Sequence, residues 1–299
     1  GFLMHKEYRC LAGGYDVTVQ FSCVTMQNEV RKILFYTQRS VAVMDYNRIV
    51  DLVKKASMFV FDKALKESVS MKGAADFVTN VDIAISNFLK QELKVIDPAI
   101  GFFSEEEKGS LQGKSWILDP IDGTTNLVYG YNMSSVSLAL YNEGKIVFGV
   151  VYNPFNGECY TAELGKGAFL NGEPLRVSAR EMKDSIIEFG AGSTRKQDAE
   201  ESFALGKEIF KRCTDIRRIC SSALAICFIA AGRIDGYFES KLKPWDYAAG
   251  ALILQEAGGR ITDYDLSQPP MDKPSSVIAS NGGIHGELHS IIQRNKAKE

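Results

Sequence analysis

Trp116-Ile117-Leu118-Asp119-Pro120-Ile121-Asp122-Gly123-Thr124-Thr125-Asn126 is the stretch that decides how this chain folds. Trp116, Ile117 and Leu118 form a continuous apolar run, which reads as a buried strand. Asp119 falls at its end, where Pro120 withdraws a backbone donor and stops the ladder. Asp122, Gly123, Thr124 and Thr125 read as a turn opening a helix, whose first N–H groups favour an anion. Gly123 lets a phosphate approach the backbone closely. Two carboxylates beside that position would repel a phosphate unless a cation lay between them. The stretch predicts a metal-phosphate site, set against a plainer reading in which Asp119 and Asp122 only cap a turn.

Working outward, acids recur at the ends of other elements. Ile49, Val50, Leu52, Val53, Ala56, Phe59, Val60 and Ala64 repeat at helical spacing, so residues 46–65 read as an amphipathic helix. After Asp76-Phe77-Val78-Thr79, Asp82 stands at or near the start of a second helix carrying Ile83, Ile85, Phe88, Leu89 and Leu93. Phe102 and Phe103 read as a short strand running into Ser104-Glu105-Glu106-Glu107, placed to supply a ligand. Past the central stretch the signals are β: residues 134–141, 145–152 and 158–163, with an Asn171-Gly172 hairpin turn after them. Beyond Arg180, strands at 185–189, 216–220, 236–238, 259–262 and 276–279 alternate with helices at 199–213, 222–231, 246–257 and 285–295. The predicted organisation is an extension over 1–43, an α+β lobe over 44–180 and an α/β lobe over 181–299. Tyr15 to Cys23 alternates apolar and polar residues with period two, a strand inside the extension. Asp246 opens a helix after Pro244-Trp245, and Glu239 follows the strand at 236–238. His285 and His289, one helical turn apart, have no third ligand nearby and read as a solvated face.

Composition narrows the function classes. A chain of 299 residues, 45% hydrophobic and 24% charged, can bury a large core. Its formal charge of −2 gives no reason to expect a nucleic-acid or membrane partner. No apolar run is long enough to span a bilayer, and no secretory signal is seen. Six cysteines, with no CxxC pair, read as reduced and mostly buried, which fits a cytoplasmic protein.

Asp76-x-Val78-Thr79-x-x-Asp82, Glu105-Glu106, the Trp116–Asn126 stretch and Trp245-Asp246-x-Ala248-Ala249-Gly250 together resemble the inositol monophosphatase family. Gly149-Val150-Val151-Tyr152 and Gly165-Lys166-Gly167-Ala168 strengthen the match, which runs over residues 45–299. The resemblance implies a layered αβαβα sandwich, a homodimer, and Mg²⁺-dependent, lithium-sensitive hydrolysis of phosphate monoesters. It implies that Glu105, Asp119 and the Ile121 carbonyl hold one metal and that Asp119, Asp122 and Asp246 hold a second, with a weaker third near Glu105. By the same resemblance Thr124 and Asp82 activate water, Gly123 and Thr124 amides grip phosphate, and Cys220, Ser221, Ser222 and Glu239 face the alcohol. Many relatives have Gly where this chain has Cys220.

Independently of the family, an all-oxygen acid set suits a hard cation, Mg²⁺ before Mn²⁺. Two such ions can clamp an in-line displacement at phosphorus. Glu239 favours a neutral polyol, because a carboxylate accepts hydroxyl hydrogen bonds and repels a second phosphate, and the family resemblance implies an inositol phosphate, a small phosphorylated polyol, as the substrate. Fructose-1,6-bisphosphate or adenosine 3′,5′-bisphosphate would need a basic second site, for which Arg217, Arg218, Lys241 and Lys243 are candidates. A non-catalytic regulatory or RNA-associated protein on the same fold is the rival from another class.

Overall fold

The computed structural model describes residues 6–12, 15–21, 44–67, 69–73, 76–107, 109–192 and 196–296. Contacts divide the chain into two compact units, Gly1–Asp45 and Tyr46–Glu299. In the first, β1 (Lys6–Ala12) and β2 (Tyr15–Phe21) pair antiparallel, with Lys6 opposite Phe21 and Ala12 opposite Tyr15. The alternating stretch is thus a strand to Phe21, while Cys23 lies outside the described residues. Its partner β1 carried no comparable sequence pattern.

The second unit opens with α1 (Tyr46–Ser57), a 3₁₀ turn at Met58–Phe61 and α2 (Lys63–Glu67). The single helix predicted over 46–65 is therefore broken. Ser57 turns its hydroxyl back onto the Lys54 carbonyl at 2.7 Å, and Asp62 accepts the Ala64 N–H at 2.9 Å to start the next turn. A hairpin of β3 (Val69–Gly73) and β4 (Asp76–Thr79) leads into α3 (Asn80–Ile96). Then come β5 (Gly101–Ser104), β6 (Lys114–Asp122), α4 (Thr124–Val128), β7 (Ser135–Asn142), β8 (Lys145–Asn153), β9 (Glu158–Glu163), β10 (Gly167–Leu170) and β11 (Glu173–Pro174). These strands form one sheet in the order β11-β10-β9-β8-β7-β6-β5, antiparallel except for the parallel β5–β6 pair.

The rest of the chain runs β12 (Ile186–Phe189), α5 (Ala199–Phe210), β13 (Asp215–Arg217), α6 (Ser222–Ala230), β14 (Gly236–Leu242), α7 (Pro244–Glu256), β15 (Arg260–Thr262), β16 (Ser275–Ser280) and α8 (His285–Lys296). Its sheet has the order β13-β12-β14-β16-β15. Helices α1 and α3 cover one face of the first sheet, α6 and α7 fill the space between the sheets, and α5 and α8 cover the second sheet's far face. The result is the αβαβα sandwich. Sequence explains the layering: α1 buries a stripe at Ile49, Val53 and Ala56, whereas α7 is buried from Tyr247 to Leu254 without interruption. A helix apolar on one side belongs outside, and one apolar all round belongs between sheets.

Several strand ends differ from expectation. Pro120 does not end β6; the strand continues to Asp122 through a bulge between Asp119 and Asp122. The strand predicted at 216–220 stops at Arg217, because Glu188 takes the Ile219 N–H at 2.8 Å and draws the backbone out of the ladder. Glu239 lies inside β14 rather than beyond its end. His285 is fully buried, not solvated, with Thr262 Oγ1 at 3.0 Å from Nε2 and Ser280 Oγ at 2.9 Å from Nδ1. Among the described residues no helix is long and apolar enough to cross a membrane.

Candidate active site

The bulge in β6 places the acids. Side chains three residues apart on a regular strand point to opposite faces, but Asp119 stands opposite Ser137 and Asp122 opposite Ser135. One extra residue on β6 re-aims the chain, and both carboxylates end up buried. Gly123 follows at φ +89°, a conformation that favours glycine, and an added Cβ would meet the Met133 carbonyl at 3.0 Å. It is Gly123 that occupies the N-cap of α4, so Thr124 is not the cap. The Thr124 hydroxyl sits 3.0 Å from the Ile121 carbonyl and 3.4 Å from Asp82 Oδ1.

Two helix starts bring the other aspartates. At the start of α3, Asp82 Oδ2 accepts the Thr79 N–H at 2.8 Å and the Thr79 hydroxyl at 2.6 Å, a capping box. Asp246 holds the same third position of α7, where its Oδ2 accepts the Lys243 N–H at 2.7 Å. Asp122 is fastened across the molecule to the start of α6. Ser221's hydroxyl and the Ala223 N–H (2.9 Å) donate to Oδ2, and the Ser222 N–H (3.1 Å) donates to Oδ1.

Glu105, Asp122, Thr124, Cys220, Glu239 and Asp246 line one cleft of about 370 Å³, together with Gly123, Ser221 and Ser222. That volume is ordinary for a small-molecule site. Asp119, Ile121 and Asp82 are buried alongside it, at 3%, 2% and 1% exposure. Electrostatics tie the acids together. Burial holds the Asp119 carboxyl well above the usual range, and the charges of Glu105, Asp122, Asp246 and Asp82 push it further. Burial and Asp122 do the same to Asp246. Asp122 is raised to about 6, chiefly by burial and against the bonds from Ser221, Ala223 and Ser222. Asp82 also reaches about 6, by burial opposed by Thr79.

Buried acids that raise one another's pKa, with oxygen as the only donor type, fit a hard divalent cation. Among the described residues, no three of them close into a finished metal cage. Asp119, Asp122 and Asp246 instead spend oxygens on the Ile121, Ser222, Ala223 and Lys243 amides.

Of the basic candidates, Arg218, Lys241 and Lys243 line the cleft, and Arg217 instead pairs with Asp215. Arg218 lies 5.3 Å from both the Phe189 and Phe203 ring centres, a cation held by two aromatic faces. Lys241 pairs with Asp198 at 2.9 Å. Cys220 adopts φ +58°, which explains why glycine suits this position. Sequence inspection missed Glu188, Gly190 and Tyr237, which also line the cleft. An acid inside the apolar run Ile186-Ile187-Glu188-Phe189 was the available signal.

The cleft thus has clustered acids at a strand end on an αβαβα frame. The family model for the inositol monophosphatase family matches residues 40–297, and the chain belongs to that family. It is 37% identical over 255 residues to an inositol-1-monophosphatase of Rhizobium meliloti (strain 1021), covering 83% of this chain and 96% of the relative. It is 40% identical over 236 residues to the Nus factor SuhB of Escherichia coli (strain K12), covering 75% and 88%. The solved structure of a Thermotoga maritima IMPase superposes with a TM-score of 0.78 at 31% identity, covering 85% of this chain and 99% of that one.

Proposed function

We propose that this chain hydrolyses phosphate monoesters of small polyols, with an inositol 1-phosphate as substrate, using Mg²⁺ held by its acid cluster. The observation that carries the reading is the meeting in one cleft of Glu105, Asp122 and Asp246 with Thr124 and Glu239. In this reading Glu105, Asp119 and the Ile121 carbonyl hold one ion, Asp119, Asp122 and Asp246 a second, and Glu105 contributes to a third. Bound Mg²⁺ supplies neutralisation of the phosphoryl charge and a lowered pKa for water. Thr124 orients the attacking water and passes its proton toward Asp82 Oδ1, 3.4 Å away. Ser221, Ser222 and Ala223 fix the direction of the Asp122 carboxylate. Tyr237 donates to Glu239 at 2.5 Å, which steadies that carboxylate as an acceptor for the alcohol's hydroxyls. A homodimer, a cytoplasmic location and inhibition by lithium belong to the same proposal.

A second reading, hydrolysis of a bisphosphate, is supported by Arg218, Lys241 and Lys243 in the cleft lining. Phosphate release from inositol 1-phosphate, fructose-1,6-bisphosphate and adenosine 3′,5′-bisphosphate separates the two. Inositol 1-phosphate is expected to give the highest kcat/KM, with EDTA abolishing release and Mg²⁺ restoring it. Turnover that survives exhaustive chelation would overturn the metal assignment, and preference for a bisphosphate would overturn the substrate.

A further inference from the structure

Glu188 is an acid that the fold uses by half. It is 2% exposed in β12, and its Oε1 accepts the Ile219 N–H at 2.8 Å. That bond braces the turn that carries Cys220, the next residue, at φ +58°. Among the described residues no donor reaches its Oε2, although that atom is buried. Buried polar side-chain atoms nearly always have a partner, so an orphan acceptor beside a cleft calls for a ligand.

Strand register shows what lies around it. β12 and β14 run parallel with Glu188 opposite Tyr237, and the next positions on that face are Gly190 and Glu239. Side chains directly across a ladder share one face of the sheet. Gly190 is what admits the neighbouring carboxylate: a Cβ there would lie 1.7 Å from Glu239 Oε2. Tyr237's hydroxyl bonds Glu239 and lies 2.9 Å from the Ser222 hydroxyl. Glu188, Tyr237, Glu239 and Ser222 thus form a patch of oxygen groups on the cleft. Like charge from Glu239 and Asp122 adds to burial in raising the Glu188 carboxyl to about 7. A second anionic substituent placed there would meet acids, whereas a hydroxyl would meet acceptors.

We propose that Glu188 is a specificity-determining residue whose Oε2 accepts one hydroxyl of the alcohol while Glu239 accepts its neighbour. The cleft then selects phosphate esters of alcohols bearing two adjacent free hydroxyls. This inference rests on the phosphatase reading of the cleft and adds to it a second acceptor for the alcohol's hydroxyls.

Glu188→Gln tests it in the full-length, Mg²⁺-loaded protein. Glutamine keeps a carbonyl for the Ile219 N–H and replaces Oε2 by a group that cannot accept. The kcat/KM ratio of myo-inositol 1-phosphate over p-nitrophenyl phosphate is expected to fall about ten- to hundredfold, mostly through KM. Glu188→Ala, which also removes the brace, is expected to lower the melting temperature further than Glu188→Gln does. A ratio that stays within about twofold in Glu188→Gln would make Glu188 a brace only and overturn the inference, leaving the phosphatase reading in place. No wild-type release from either ester would overturn both.

Discussion

Asp235 and Asp119 are both buried aspartates, at 0% and 3% exposure, yet their surroundings are opposite in kind. Asp235, just before β14, ties in the segment from Ser178 to Ile186 through neutral and cationic donors. Arg180 Nε lies 2.9 and 3.1 Å from its two oxygens, Ser178 donates its hydroxyl, and the Ile186 N–H donates at 2.8 Å. Asp119 has the Ile121 N–H at 3.0 Å and otherwise a ring of other acids. A carboxylate that serves folding is given its countercharge by the fold. A carboxylate set to hold a cation is left short of one, and the fold bears that cost.

Breaking the acid side of this comparison gives the largest expected effect. Asp119→Asn should reduce kcat/KM by ~10³ or more, because metal-held charge stabilisation is worth several kcal/mol. The same change should raise the melting temperature measured in chelator. Asp119 has a folded-state pKa above its unfolded value, so its stability is present below the unfolded pKa and lost as pH rises through the folded one. The gain in the variant should therefore grow with pH and vanish in acid. A variant that melts lower than wild type at every pH would contradict the picture of mutual repulsion.

Thr124→Ala comes next. With Gly123 as the cap, the Thr124 hydroxyl has no capping duty, and its loss should cost about 10² to 10³ in kcat with little change in melting. Thr124→Ser should recover most of that rate. Asp82→Asn should lose rate as Thr124→Ala does but also melt earlier, since its carboxylate completes the α3 capping box. Equal rates in wild type and Thr124→Ala would remove Thr124 from the proton path.

On the structural side, Asp235→Asn should leave the kcat of the folded fraction as it is and lower stability by about 3 kcal/mol. That is the low end for losing one member of a buried pair, because Arg180 is 40% exposed. For a unit of this size it corresponds to a fall in Tm of about 6–12 °C. Loss of kcat without loss of Tm would reverse the two roles.

A gentler probe is pH. Burial lowers the His285 pKa from 6.5 to about 4, so the neutral ring between Thr262 and Ser280 is the folded form. Its contribution is complete above about pH 6.5 and is lost as pH falls toward about 4. The melting difference between wild type and His285→Asn should be flat above that window and shrink below it.

The smallest effect is expected from removing residues 1–43. The family match begins at residue 40, and Tyr46–Glu299 is a compact unit by itself. A chain starting at Met44 should keep its melting temperature and turnover within about twofold, and a large loss would assign the β1–β2 hairpin to the working protein.

Much of this molecule was determined by sequence alone, wherever the cause is local. The Trp116–Asn126 stretch, the aspartates three positions into α3 and α7, the Asn171-Gly172 turn and the apolar character of α6 and α7 all follow from neighbours a few residues away. What tertiary structure decided is where distant pieces meet. The bulge that turns Asp119 and Asp122 inward depends on pairing with β7, and the fastening of Asp122 to Ser221 spans 99 residues. His285 read as a surface residue until α8 packed over the second sheet and gave its ring two hydroxyl partners. Glu188 and Gly190 met Tyr237 and Glu239 only through the parallel register of two strands some fifty residues apart, which periodicity within either strand does not encode.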